Sequence, residues 1–169
     1  ELAHIGDPMR DLGWLCVNSW RFGFTSKTVG GFGTVEELIA GYESVSATQV
    51  DRGAIKFWQV FGSFWWSVTT LGMAATWRSG ETPSLERPVI GRRSSEAQLD
   101  CVNLLIPGPA QLPDATLNLA TRDLPEAAEL ITSVRHYLSE SVASAASGAA
   151  QFIARVAANS LAIAEREMT

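Results

Sequence analysis

Apolar residues recur along this chain at intervals of three and four, the spacing of helices with one buried stripe, and the pattern is helical almost throughout. Asp7 stands before Pro8, where its carboxylate can accept from the free N–H groups of a first turn; Leu12, Leu15, Cys16 and Ser19 or Trp20 follow at helical spacing. A first helix is therefore predicted over about residues 8–21. Residues 21–33 hold Gly23, Gly30, Gly31 and Gly33 and no apolar period, which predicts a flexible loop. Thr34 and Glu37 have the spacing of a capping box, so a second helix is expected over about 35–47, with Leu38, Ile39 and Tyr42 on its buried face.

The third helix, about 50–78, carries no charge from Phe57 to Trp77 and includes Trp58, Trp65, Trp66 and Trp77. That run is long enough to cross a bilayer. Gln59, Ser63, Ser67, Thr69, Thr70 and Thr76, the glycines Gly62 and Gly72, and the lack of a flanking basic cluster argue instead for a central buried helix, apolar on all sides. Gly80-Glu-Thr-Pro83 ends it. A fourth helix is expected over about 84–106, with Val89, Ile90, Ala97, Cys101, Leu104 and Leu105 on its apolar face. Arg92 and Arg93 read as a solvated face with local ion pairs, or as a site for an anionic group. From Pro107 to Arg122 the prolines and the missing period predict a linker.

Beyond the linker, Pro125 opens a helix whose stripe is Ala127, Leu130, Ile131, Val134, Tyr137 or Leu138, and Val142. Ser144 to Gly148 offers a turn. In the last helix Phe152, Ile153, Val156, Ser160, Ile163 and Ala164 face one way, and Arg155 and Asn159 on the flank form either a helix-edge pair or a polar contact to a partner. Two such helices bury too little surface alone, so they are expected to pack on each other and on the first domain or a second copy of the chain.

The expected architecture is thus all-α: a helical domain at 1–108, a linker at 109–123 and a small helical domain at 124–169. A chain of 169 residues that is 46% apolar can bury one good core with an appendage. The net charge of −5, with acids and bases interleaved, argues against nucleic acid and anionic membrane as partners. Cys16 and Cys101 lie in apolar helical contexts with no second Cys or His at ligand spacing. This disfavours a disulfide framework or zinc site, makes Cys16 a buried small hydrophobe rather than a nucleophile, and fits a reducing cytoplasm. His4 and His136 are far apart, and there is no nucleophile elbow, phosphate loop or metal motif; Gly30-Gly-Phe-Gly33 lacks both a preceding strand and a following Lys-Ser/Thr. The residues alone describe a helical domain and no complete catalytic constellation.

The opening segment adds a resemblance. Glu1-Leu-Ala-His-Ile-Gly6-Asp7-Pro8-Met-Arg-Asp11-Leu12-Gly-Trp14-Leu15 resembles the part of the aminoglycoside phosphotransferase-like kinase family that follows its metal-binding aspartate, where Ile-Asp-Trp-Glu leads into Gly-Asp-Pro and then Asp-Leu on a helix. Glu1 matches the Glu of that tetrapeptide. Residues 56–105, with the Trp-rich helix and the Ile90-Gly-Arg-Arg93 to Asp100 stretch, are similar to the helical end of a branch of the family associated with acyl-CoA dehydrogenases. The stretch from Leu124 to Met168 resembles an uncharacterised small helical domain that accompanies such proteins, through Ala128-Glu129-Leu130 and Phe152-Ile-Ala-Arg155-Val-Ala-Ala-Asn159.

The resemblance implies a protein-kinase-like helical lobe and ATP-dependent phosphorylation of a hydroxyl on a small molecule, with ATP and Mg2+ as the parent's cofactors. Phosphoryl transfer needs an Asp to orient the hydroxyl, Asn and Asp to hold magnesium and a Lys on the phosphates. In the family these lie before the position of Glu1, so the chain reads as part of a longer protein, lacking the nucleotide lobe and catalytic loop and inactive alone. That N-terminal kinase part is then its first partner, and a homo-oligomer is possible. Glu1, Asp7 and Asp11 are the supporting candidates at the active-site edge; helix capping for Asp7 and a dipole-favoured first-turn position for Asp11 are the plain structural readings. Trp14, Trp20, Phe57 and Trp65 are candidates for the substrate-facing wall, or simply for the core. The alternative reading is a non-catalytic helical interaction or oligomerisation module.

Overall fold

In the computed structural model, residues 4–109 and 123–168 are described. Among them the fold is all-α, as the periodicity predicts, with a single isolated antiparallel bridge between Val29 and Gly33. The helices are α1 Pro8–Leu15, α2 Val35–Val45, α3 Arg52–Arg78, α4 Glu86–Gly91, α5 Ser94–Leu105, α6 Ala127–His136, α7 Ala143–Ala145 and α8 Gly148–Met168, with a 3-10 turn at Asn18–Trp20 and a π-helical segment at Tyr137–Val142. The chain packs as two compact units, Glu1–Val68 with Ser95–Leu112 and Thr69–Ser94 with Pro113–Thr169. The expected division at 109–123 runs in chain order, whereas both packing units are discontinuous in sequence; most of that linker, 110–122, lies outside the described residues. No helix among the described residues is long and apolar enough to cross a membrane.

In the first unit, Met9, Leu12, Cys16, Val29, Ile39 and Ile55 form the core, and Val35, Leu38, Tyr42 and Trp58 close around it. The capping box at α2 is complete: the Thr34 N–H donates to Glu37 Oε2 at 2.8 Å and the Glu37 N–H to Thr34 Oγ1 at 3.2 Å. The first helix ends at Leu15, earlier than the predicted 21. Val17 turns extended and is buried, and it sits so close to α3 that a Cβ on Gly62 would lie 2.6 Å from its Cγ2. The Cys16 carbonyl accepts from the Arg21 and Gln59 side chains at 2.9 and 3.0 Å, which fixes the chain where it leaves the helix. The Gly-rich loop is tied down: Gly30 N–H donates to the Leu15 carbonyl, Arg21 Nε to that of Thr28 and Lys27 Nζ to that of Phe32.

α3, uncharged from Phe57 to Trp77, is not apolar on all sides in its packing. Its buried side is Ile55, Gly62, Ser63, Ser67, Thr70 and Ala74, while Phe57, Phe64, Val68 and Leu71 are at least half exposed. Small residues allow close approach, and a helical hydroxyl can bond a carbonyl of its own preceding turn, as Ser67 does to Phe64 at 2.7 Å. The predicted fourth helix is two, α4 and α5: after Gly91 the ladder tightens, with the Arg93 N–H donating to Ile90.

In the second unit, Gly91 packs on Ala74, and a Cβ there would meet the Ala74 Cβ at 2.6 Å. Arg92 is part exposed and ion-paired, though with a distant residue: it pairs with Asp123 at 3.3 Å and donates to the Pro125 carbonyl at 3.1 Å. Arg78 holds Glu129 through two bonds of 2.5 and 2.7 Å, and Glu129 also accepts from the Glu126 N–H at 2.8 Å to start α6, two residues after Pro125. Glu165 of α8 accepts from Thr132 and, at 3.0 Å, from Arg135. The buried face of α8 is Ala154 and Ala158, opposite the predicted one: Phe152, Ile153, Val156 and Ile163 are exposed. The small side chains of Ala154 and Ala158 let α8 pack closely on its neighbours. The expected turn falls at Ala146 and Ser147, and Gly148 opens α8 with φ +59°.

Candidate functional site

The first unit contains a cavity of about 560 Å3 between the start of α1 and the middle of α3. Helical spacing puts Asp7, Arg10, Asp11 and Trp14 on one side of α1, and Trp58, Phe61 and Trp65 on the facing side of α3. The two helices approach so closely because position 13 is glycine: a Cβ there would lie 2.5 Å from the Trp58 Cβ and 2.8 Å from the Ile55 carbonyl.

Asp7 is the corner post. One carboxylate oxygen accepts the Met9 N–H at 2.9 Å and caps α1; the other accepts the Trp58 indole N–H at 2.8 Å. With both oxygens engaged, its role is capping and bracing rather than proton abstraction. Arg10 lies over the rings of Trp58 and Phe61, 5.5 and 5.7 Å from their centroids, and approaches His4 Nε2 at 2.6 Å, so the guanidinium is clamped between aromatic faces and an imidazole. A guanidinium has no acceptor, so that imidazole nitrogen accepts. Asp11 is exposed on the cavity wall beside Trp14.

Behind the cavity four tryptophans close a ring. Trp14 meets Trp20 at 5.8 Å and Trp65 at 5.4 Å, while Trp66 meets Trp20 at 5.4 Å and Trp65 at 5.7 Å, all in tilted or edge contacts. Such edge-to-face pairs add to simple area burial. They hold Trp14 and Trp65 as a rigid wall.

The structure therefore brings together Asp7, Asp11, Trp14 and Trp65. Trp20 stands behind the wall, and Phe57 lies outside the cavity, 61% exposed and edge-on to Trp58. Glu1 lies outside the described residues. Sequence reasoning missed His4 and Arg10; the three-residue step from Asp7 to Arg10 would have flagged the latter, whereas its aromatic clamp depends on the α1–α3 crossing. Cys16 is fully buried, donates to the Leu12 carbonyl at 3.3 Å, and has its thiol pKa raised by burial more than Arg21 lowers it. It is an inert core residue.

Chemically, the cavity offers two ring faces, a carboxylate acceptor and guanidinium donors, the equipment to orient a small polar molecule with a flat or apolar side. It does not fit a magnesium ion: Asp7 is engaged, and no group of three or more His, Cys, Asp or Glu able to hold a metal occurs among the described residues. Compared with known proteins, the chain matches no family model, no curated protein and no solved structure.

Proposed function

We propose that the first unit is the helical part of a small-molecule phosphotransferase, with the cavity forming the wall against which the hydroxyl-bearing substrate lies. The observation that carries this reading is the convergence on one cavity of Asp7 and Asp11, the supporting candidates of the Gly-Asp-Pro and Asp-Leu segment, with Trp14 and Trp65, two of the four substrate-wall candidates. On this reading ATP and Mg2+ are held by sequence preceding these residues, and the chain alone does not transfer phosphate. Trp14 and Trp65 position the acceptor, Asp11 accepts from its hydroxyl or amino groups, and Asp7 keeps α1 and α3 in register. Phosphoryl transfer is chiefly positioning, so a rigid aromatic wall is a direct contribution to it. Two cysteines without a disulfide suit a cytoplasmic enzyme.

The test is to express the whole reading frame that encodes this chain and follow ATP-dependent phosphate transfer to a panel of small alcohols by 31P NMR. Transfer, with a KM raised at least severalfold by Trp65→Ala, supports the reading. A reading frame without an upstream nucleotide-binding segment, or a full-length protein with no transfer, overturns it.

A second reading, a helical interaction module, draws on the exposed side chains of Phe57, Phe64 and Val68 along α3. Helical spacing puts these three on one side of α3, and large exposed apolar patches mark interaction sites. Sedimentation of the chain as a concentration-independent monomer would remove self-association from that reading.

A further inference from the structure

The second unit holds a separate cavity of about 640 Å3 that the phosphotransferase reading does not use. One wall is made by Trp77 at the end of α3 with Pro83, Leu85 and Val89; the other is made by His136, Tyr137, Glu140 and Ser141. The second wall coincides with the π-helical segment Tyr137–Val142. A π-turn is wider and less favourable than an α-turn, and it tends to occur where a binding surface needs it. Here it carries an aromatic ring, a carboxylate and a hydroxyl to the same side of the chain. The volume falls in the range of small-ligand sites.

The charge of the lining selects the ligand. Glu140 on one wall and Glu86 on the other are its acidic side chains, His136 is its one imidazole, and the lining contains no Lys or Arg. Three arginines stand next in sequence to lining residues: Arg78 is drawn to Glu129 at 2.5 Å, Arg135 to Glu165 at 3.0 Å and to His136 Nε2 at 3.3 Å, and Arg87 is not part of the lining. Two carboxylates with two aromatic rings, Trp77 and Tyr137, stabilise a positive charge by direct attraction and through the ring faces. The same field repels an anion. The apolar residues Pro83, Leu85 and Val89 accommodate a hydrocarbon body.

We propose that this cavity binds a small organic cation, a protonated or quaternary amine on an aromatic or branched aliphatic body. The test labels the chain with 5-fluorotryptophan and assigns the Trp77 resonance with Trp77→Phe; it then titrates benzyltrimethylammonium, with phenylacetate as the anionic control. The Trp77 resonance is expected to move saturably with the ammonium and to stay in place with phenylacetate. The double variant E86Q/E140Q, altered only at exposed positions, should keep its far-UV circular dichroism and bind about tenfold more weakly. A Trp77 resonance that does not respond, that responds equally to phenylacetate, or that gives the same affinity in the double variant overturns the proposal.

Discussion

The two units are held together by different means. In the first, close backbone approach at Gly13 and Gly62 and a ring of four tryptophans accompany an apolar core of larger side chains. In the second, the buried side chains are small, among them Ala143, Ala154, Ala158 and Ser133, and ionic clasps join its segments: Arg78 to Glu129 and Arg135 to Glu165 between helices, and Arg92 to Asp123 between the end of α4 and the chain before α6. Packing of large rings is insensitive to pH and intolerant of truncation. Clasps of charged groups are the reverse, since each depends on a carboxylate staying ionised and contributes modestly by itself.

The sharpest way to break this contrast is to remove a ring. Trp14→Ala should cost about 3 kcal/mol in chemical denaturation, because two ring contacts go and a cavity remains; a loss under about 1 kcal/mol would mean that the ring is ornamental. Next come the crossings. Gly13→Ala puts a methyl 2.5 Å from the Trp58 Cβ and against backbone at Ile55, and should cost about 2 kcal/mol despite the better helix propensity of Ala. Gly91→Ala tests the equivalent contact in the second unit, where the Ala74 Cβ lies 2.6 Å away.

Acid should reverse the order of weakness. The Glu129 pKa is lowered by hydrogen bonds from Arg78, and that of Glu165 by Thr132 and then Arg135. A carboxyl whose folded pKa is depressed contributes stability above its unfolded value of about 4.3 and loses it as pH falls through the folded value. The second unit should therefore lose hydrogen-exchange protection in α6 and α8 below about pH 4, ahead of the α1–α3 core. Glu36 and Glu37 are also lowered, so the α2 cap should loosen in the same window. At the alkaline end the sign inverts for Cys16 and Cys101, both raised chiefly by burial: their contribution is complete below the ordinary thiol pKa of about 8.5 and lost as pH rises through the folded value, which affects only the first unit. At pH 7, Glu129→Gln should cost about 1 kcal/mol or less, because its partner Arg78 remains 38% exposed. The smallest effect is a gain: Gly41→Ala, with nothing within 4 Å of the new methyl, should stabilise α2 by about 0.5 kcal/mol.

Much of the site lies in one short stretch of chain, which is why it was legible. Asp7, Asp11 and Trp14 belong to two turns of α1, and helical spacing alone puts them side by side. Trp65 was reached through its place in the Trp-rich helix. Trp20 and Phe57 were nominated on the same grounds and fall outside the cavity, because whether an aromatic residue lines a wall, backs it or faces solvent depends on the rotation of its helix against a neighbour. The paired arginines illustrate the same limit: Arg92 could be seen as charged, but its partners at Asp123 and Pro125 lie about thirty residues away.

Local chemistry in the sequence determined that the chain is helical, where α2 is capped, that α3 is long and uncharged from Phe57 to Trp77, and that turns lie near Gly80 and Gly148, because hydrogen bonds and side-chain spacing within a few residues decide each of these. Which face is buried was decided only in the tertiary structure. On α3 and α8 the larger apolar residues, Phe57, Phe64, Phe152 and Ile163, were passed over for Gly, Ala, Ser and Thr. The physical reason is distance: backbones packed as closely as Gly62 on Val17 and Gly91 on Ala74 leave no room for large side chains between them, and periodicity counts hydrophobicity without counting size.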